Sequence, residues 1–162
     1  MHYILDGYNI INCSKYLQLF YAPTLEQRRG KLCDFIKINR PHGSRNNSIT
    51  IAFDCRVKPN FEFYDYSRHY DGEIEIVFSE DGQTADDIIS QECEDSQTPN
   101  QIIVVTNDKG IHRRIALSGA RHESVETFIA RGYKAKSAKC AEKILRDEIR
   151  EKINKELKEK WL

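Results

Sequence analysis

Net charge is the first thing this chain of 162 residues lacks: 25 basic side chains balance 25 acidic ones. Proline is sparse, with 4 residues, and there is a single methionine and a single tryptophan. Collagen-like, low-complexity and disordered classes are excluded, because seven phenylalanines, eight tyrosines and 40% hydrophobic residues can fill a core. No apolar run approaches the roughly 18 residues that span a bilayer, so no membrane segment is expected. Five cysteines, an odd number without any C-x-x-C pair, argue against a disulfide framework or a zinc knuckle. A soluble, cytoplasmic protein in a reducing compartment is the expectation.

What is there is unevenly spread. Residues 62–98 hold twelve acids and one base, Arg68, so the rest of the chain is basic by the same margin. A basic majority around an acidic middle suits a polyanion ligand held near carboxylates that need a cation, although solvated surfaces give the same arithmetic.

The order of elements reads as alternating strands and helices. Tyr3-Ile4-Leu5 is a short apolar run that ends in Asp6-Gly7. A helix is expected over 24–39, capped by Thr24, with Leu25, Leu32, Cys33, Phe35, Ile36 and Ile38 apolar and with Glu26 and Arg29 facing water. Ile49 to Phe53 is a second strand that runs into Asp54, and Glu73 to Ser79 is a third. The aromatic stretch Phe61 to Tyr70 before it reads as a substrate-facing loop or as a hairpin or edge strand.

Further helices are expected over 84–94, with Asp86 and Asp87 in the first turn, and over 111–118. Between them lies a doubly buried strand, Ile102 to Thr106, leading to Asn107-Asp108. Gly119-Ala120 is a turn or a very short strand, and 124–130 a helix capped by Ser124. Leu145, Ile149, Ile153, Leu157 and Trp161 make one stripe on a long charged helix, which packs on its own domain or on a partner. The division expected is an α/β domain at 1–136 and a helical extension at 137–162. The fold class is α/β, a Rossmann-like, mainly parallel sheet of about five strands flanked by helices.

Three strand-like runs end in an aspartate: Asp6, Asp54 and Asp108. One such residue is usually a turn or capping residue. Three at the carboxyl ends of parallel strands gather at the edge where open α/β sheets place their sites, and Asp86 or Asp87 could complete the group. Crowded carboxylates repel unless a cation neutralises them, and Mg²⁺ or Mn²⁺ suits oxygen ligands. Phosphodiester hydrolysis is the natural chemistry of such a site.

Ile4-Leu5-Asp6-Gly7-Tyr8-Asn9-Ile10-Ile11 resembles the opening signature of the NYN domain, a branch of the PIN-like ribonuclease folds, and in particular its YacP-like group. Ile51 to Asp54, Glu75 to Ser79 with Thr84-Ala85-Asp86, Val104 to Asp108 and Gly119-Ala120 continue the likeness in order, over about residues 1–130. The resemblance implies a Mg²⁺-dependent endoribonuclease on five parallel strands. Asp6, Asp86 and Asp108 match its metal-binding, catalytic acids, and Asn9 matches the neighbour that holds a water or a phosphate. Asp54 and Asp87 are supporting acids. The implied partner is single-stranded RNA, mRNA or ribosome-associated RNA among the targets.

Candidate RNA contacts are Tyr8, which either stacks on an unpaired base or packs beneath the site, and Lys109, Arg113, Arg114 and Arg121, by phosphate neutralisation, with Arg131 a further base in the same stretch. Two other readings stand beside this one. The first is an RNA-binding or ribosome-associated adaptor without catalysis. The second is a Rossmann-like phosphatase, disfavoured because Tyr8 occupies the position where a dehalogenase-type enzyme has its second acid. The sequence leaves the oligomeric state open.

Overall fold

The structure is a computed structural model that describes residues 1–55, 68–135 and 137. Its centre is β1 (His2–Asp6), a strand apolar on both faces and therefore able to lie only between two layers. It pairs in parallel with β2 (Ser48–Phe53) on one side, Leu5 opposite Ile51, and with β5 (Ile102–Val105) on the other, Leu5 opposite Val105. Beyond β2 lies β4 (Ile74–Phe78), and beyond β5 lies β6 (Arg121–Glu123), both parallel to their neighbours. An antiparallel strand, β3 (Arg68–Asp71), closes the outer side of β4 and gives the order β3-β4-β2-β1-β5-β6. Four of the parallel strands are those anticipated; the fifth, β6, follows the expected turn at Gly119-Ala120 rather than lying in it, and β3 is the sixth strand.

Side chains of β1 alternate between two cores. Tyr3 and Leu5 pack with α1 (Gly7–Ile11), α2 (Leu25–Asn39) and a helix at residues 125–135, through Ile10, Leu32, Ile36, Phe128 and Ile129. Ile4 points the other way, with Val104, to meet Ile88 and Ile89 of α3 (Ala85–Glu94) and Ile111 and Ile115 of α4 (Lys109–Ser118). Helices on both faces of a parallel sheet make a doubly wound fold, in line with expectation.

Local chemistry sets the helix limits. Thr24 and Gln27 form a capping box at the start of α2, and Thr84 and Asp87 form another at α3. α4 begins at Lys109, two residues before the expected start, because the Asp108 carboxylate caps it, and Gly119 ends it at φ 88°, in the left-handed region. Two apolar positions of α2, Leu25 and Ile38, are exposed, and one expectation, for Arg29, fails. Ile38 is 65% exposed, since it lies about 200° around the helix from buried Ile36. Arg29 shares the inner stripe with Leu32 and Ile36, and its guanidinium lies over the rings of Phe53 and Phe78 rather than in water.

Among the described residues no helix is long and apolar enough to cross a membrane, and Cys13, Cys33 and Cys93 form no disulfide. The expected helical extension at 137–162 lies outside the described residues except for residue 137, as does most of the aromatic stretch before β3. In the sheet order, the strands that follow β1 in sequence lie on both of its sides. The carboxyl ends of β1, β2 and β5 therefore open onto one crevice.

Gly7 is held at the head of that crevice by contact. A Cβ at this position would stand 2.1 Å from Cε1 of the fully buried Phe53. Gly7→Ala is expected to lower stability by about 1–3 kcal/mol through overpacking, read as a shift of the urea midpoint without a change of slope.

Candidate active site

Asp6 ends β1 and starts α1, and its two carboxylate oxygens are used differently. Oδ1 accepts the backbone N–H of Asn9 at 3.2 Å, and Oδ2 accepts the hydroxyl of Thr106 at 3.0 Å. The residue is 8% exposed, and burial pushes its carboxyl up to about pKa 6. The bonds from Asn9 and Thr106 work against that rise, while the charges of Asp86 and Asp54 add to it.

Asp54 follows β2, and its Oδ1 accepts the first free amide of α3, Ala85 N–H, at 2.7 Å. That bond fastens the end of one strand to the start of the next helix, which places Asp86 on the same crevice. Burial raises the proton affinity of Asp86, with Asp108 and Asp54 adding to the effect and Arg114 opposing it. Asp6, Asp54 and Asp86 thus line a cleft of about 390 Å³ together with Tyr8, Asn9, Cys13 and Glu126.

Other anticipated residues fall differently. Asp108 is outside the lining of the cleft; its Oδ1 is turned back onto the amides of Gly110 and Ile111 at the start of α4, and it acts on the cluster through Asp86. Asp87 faces away, bonded to Thr84 and paired with Arg114 at 3.2 Å, and the Thr84 bonds hold its carboxyl below the ordinary range. Tyr8 is 9% exposed, its ring 5.1 Å from Phe53 and its hydroxyl accepting from Arg29, so it floors the cleft and offers no open face for stacking.

Of the basic candidates, Lys109 and Arg113 are exposed on the first turns of α4, beside the carboxyl edge. Arg114 is paired to Asp87. Arg121 lies opposite Ile103 and against the Met1 sulfur, toward the amino edge and away from the cleft. Arg131 bonds Glu123, the Tyr3 hydroxyl and the Pro41 carbonyl, a pin between elements of the fold.

Two positions carry the site without having been singled out from sequence. The hydroxyl of Thr106, fully buried, donates to Asp6 and accepts the backbone N–H of Asp108 at 3.0 Å. Asn107 donates its backbone N–H to Asn9 Oδ1 at 2.8 Å, accepts Val125 N–H at its own Oδ1, and gives its side-chain amide to Glu126 at 3.1 Å. With Asn9 Oδ1 so engaged, the group Asn9 can offer a ligand is its Nδ2, a donor. The only signal for these residues was the run Thr106-Asn107-Asp108 itself.

The donor set is all carboxylate oxygen at the acid cluster, the chemistry of Mg²⁺ or Mn²⁺. Among the described residues no three His, Cys, Asp or Glu side chains converge tightly enough to hold one ion between them. The fit is therefore to an ion held by one or two carboxylates and its own waters, which is how Mg²⁺ is commonly bound. A larger hollow of about 510 Å³ opens at the amino edge, but its carboxylates are already engaged, Glu75 and Glu92 with Arg68 and Asp95 with the side-chain amide of Gln91.

Comparison with known proteins agrees with this architecture. The crystal structure of Rae1 (YacP) from Bacillus subtilis superposes with a TM-score of 0.67 at 21% identity, covering 94% of this chain and 86% of that one. Its W164L mutant gives 0.65 at 20%, covering 85% and 77%. No curated protein sequence matches the chain. The model of the YacP-like NYN domain matches residues 3–162, essentially the whole sequence, and the chain accordingly belongs to the YacP-like NYN domain family, part of the PIN-like nuclease class.

Proposed function

We propose that the protein is a metal-dependent endoribonuclease that hydrolyses RNA phosphodiester bonds at the cleft between Asp6, Asp54 and Asp86. The observation that carries the reading is the convergence of these three acids, from three separate elements, on one cleft at the carboxyl edge of the sheet. Membership of a nuclease-class family supports it.

Asp6 and Asp86 would hold the divalent ion, with Asp54 beside them. When bound, that ion neutralises phosphate charge and makes water a better nucleophile. The remaining work belongs to the chain. Thr106 and the Asn9 amide fix the Asp6 carboxylate in one orientation, so no reorganisation is needed when substrate arrives. Asn9 Nδ2 donates to a non-bridging phosphate oxygen.

Asp108 holds the start of α4 and so sets Lys109 and Arg113 at the rim, where they meet flanking phosphates. The substrate is single-stranded RNA, because an open cleft with exposed polar walls admits unpaired nucleotides. RNA presented by a ribosome is one form that substrate can take.

Two outcomes test the reading. Purified protein should cut single-stranded RNA with Mg²⁺ or Mn²⁺ and stop on chelation. Asp6→Asn and Asp86→Asn should each lower the single-turnover rate at least about a hundredfold while keeping the far-UV spectrum of the parent. Cleavage by both variants at the parental rate would discard the site. RNA binding by the parent without any metal-stimulated cutting would favour the adaptor reading.

The second outcome concerns stability in metal-free buffer. The Asp6 carboxyl rises from 3.8 to about 6 on folding, so the folded chain holds a proton that the unfolded chain releases between those values, and stability falls as pH rises through that window. Asp6→Asn removes the effect and should be more stable than the parent at pH 7, by up to about 3 kcal/mol, with the gap closing below about pH 4. Thermal melts across pH check it. Parallel curves for the two proteins would mean that burial of Asp6 carries no such cost.

A further inference from the structure

Glu126 is the one carboxylate lining the cleft whose surroundings differ from those of the acid cluster. The charges that act on Asp6 are Asp86 and Asp54, whereas the charge that acts on Glu126 is Lys15. Its Oε1 accepts from the Asn107 side chain at 3.1 Å and from the Cys13 thiol at 3.6 Å. Lys15 is exposed, its ammonium 5.5 Å from the centre of the Tyr16 ring. Its own backbone amide, with Asn107 and Cys13, keeps the group ionised. Asn12 and Ser14, both exposed, line the cleft with it.

An ionised carboxylate on the wall of a cleft that receives a polyanion repels phosphate and must meet something else. A nucleobase offers it N–H donors. Adenine and cytosine present one amino group beside a ring acceptor, and uracil presents one N–H between two carbonyl oxygens. Guanine alone places two donors side by side on its Watson–Crick edge, N1–H and N2–H, which match the two oxygens of a carboxylate. A carboxylate accepts about four hydrogen bonds, so the contacts to Oε1 leave room for this pairing. That edge is accessible only in an unpaired strand.

We propose that the Glu126 side of the cleft, with Lys15 at its rim, is a base-reading subsite that selects guanine in single-stranded RNA. The inference rests on RNA being the substrate. Glu126 acts as a specificity residue, and Lys15 meets the phosphate next to the selected base.

The discriminating variant is Glu126→Gln, which keeps an oxygen for Asn107 but replaces the second acceptor with a donor. Binding of the full chain is measured in chelator, by fluorescence anisotropy, with three single-stranded uridine chains that carry guanosine, inosine or adenosine at alternate positions. The parent should prefer the guanosine chain over the adenosine chain by at least about fivefold, with inosine, which lacks the N2 amino group, between them.

In Glu126→Gln the preference should fall to within about twofold, with the melting temperature unchanged and the adenosine chain bound no more weakly than by the parent, since a charge that repels phosphate is gone, a pattern that mere structural support would not give. Equal binding of all three chains by the parent, a preference that survives in the variant, or no binding at all would each overturn the subsite. A guanosine preference in a protein that never cuts RNA with Mg²⁺ would support the subsite and overturn the nuclease reading, so the two can fail separately.

Discussion

Mutual repulsion among Asp6, Asp54 and Asp86 is the constraint around which the carboxyl edge of the sheet is organised. Each acid comes from a different element, so bringing them together requires every element to be fixed against that repulsion. The bonds that do so are short and specific. Thr106 and Asn9 hold the carboxylate of Asp6, and the first amide of α3 holds that of Asp54. Backbone donors at helix starts are fixed dipoles that favour negative charge, and they offset part of the loss of water around the buried acids. What remains is visible in the raised proton affinities of Asp6 and Asp86.

Asn107 joins this edge to the other wall of the cleft. One residue bonds α1 through Asn9, the helix at 125–135 through the backbone of Val125, and Glu126 through its side-chain amide. A displacement of either element would be felt by the other. The acid cluster and the Glu126 wall are therefore held in one geometry by a single asparagine placed just after the most continuous apolar strand.

The fold and the acids were legible in the sequence because they depend on local pattern. A short apolar run followed by aspartate marks the carboxyl end of a buried strand, and three such runs identify one edge of a parallel sheet. Thr24 and Thr84 announced their helices in the same local way. Thr106 and Glu126 were not legible, because their roles depend on contacts between distant segments: Thr106 on Asp6, Glu126 on Asn107. Arg121 was misplaced for a related reason. It begins a strand, so it lies toward the amino edge, while the residues that end strands lie near the cleft. Asp108 showed its position but not its orientation, since a residue before a helix can either face the crevice or cap the helix.

The two margins of the sheet carry a consequence for life in a crowded solution. Among the described residues the outermost strands are β3, four residues reading Arg-His-Tyr-Asp, and β6, three residues reading Arg-His-Glu. An unpaired margin invites extended polypeptide from other molecules to add to it, and brevity together with charge is the usual deterrent. The long apolar strands that would template such growth are all interior, so the chain can keep a strongly hydrophobic centre without presenting a seed for self-association along the sheet.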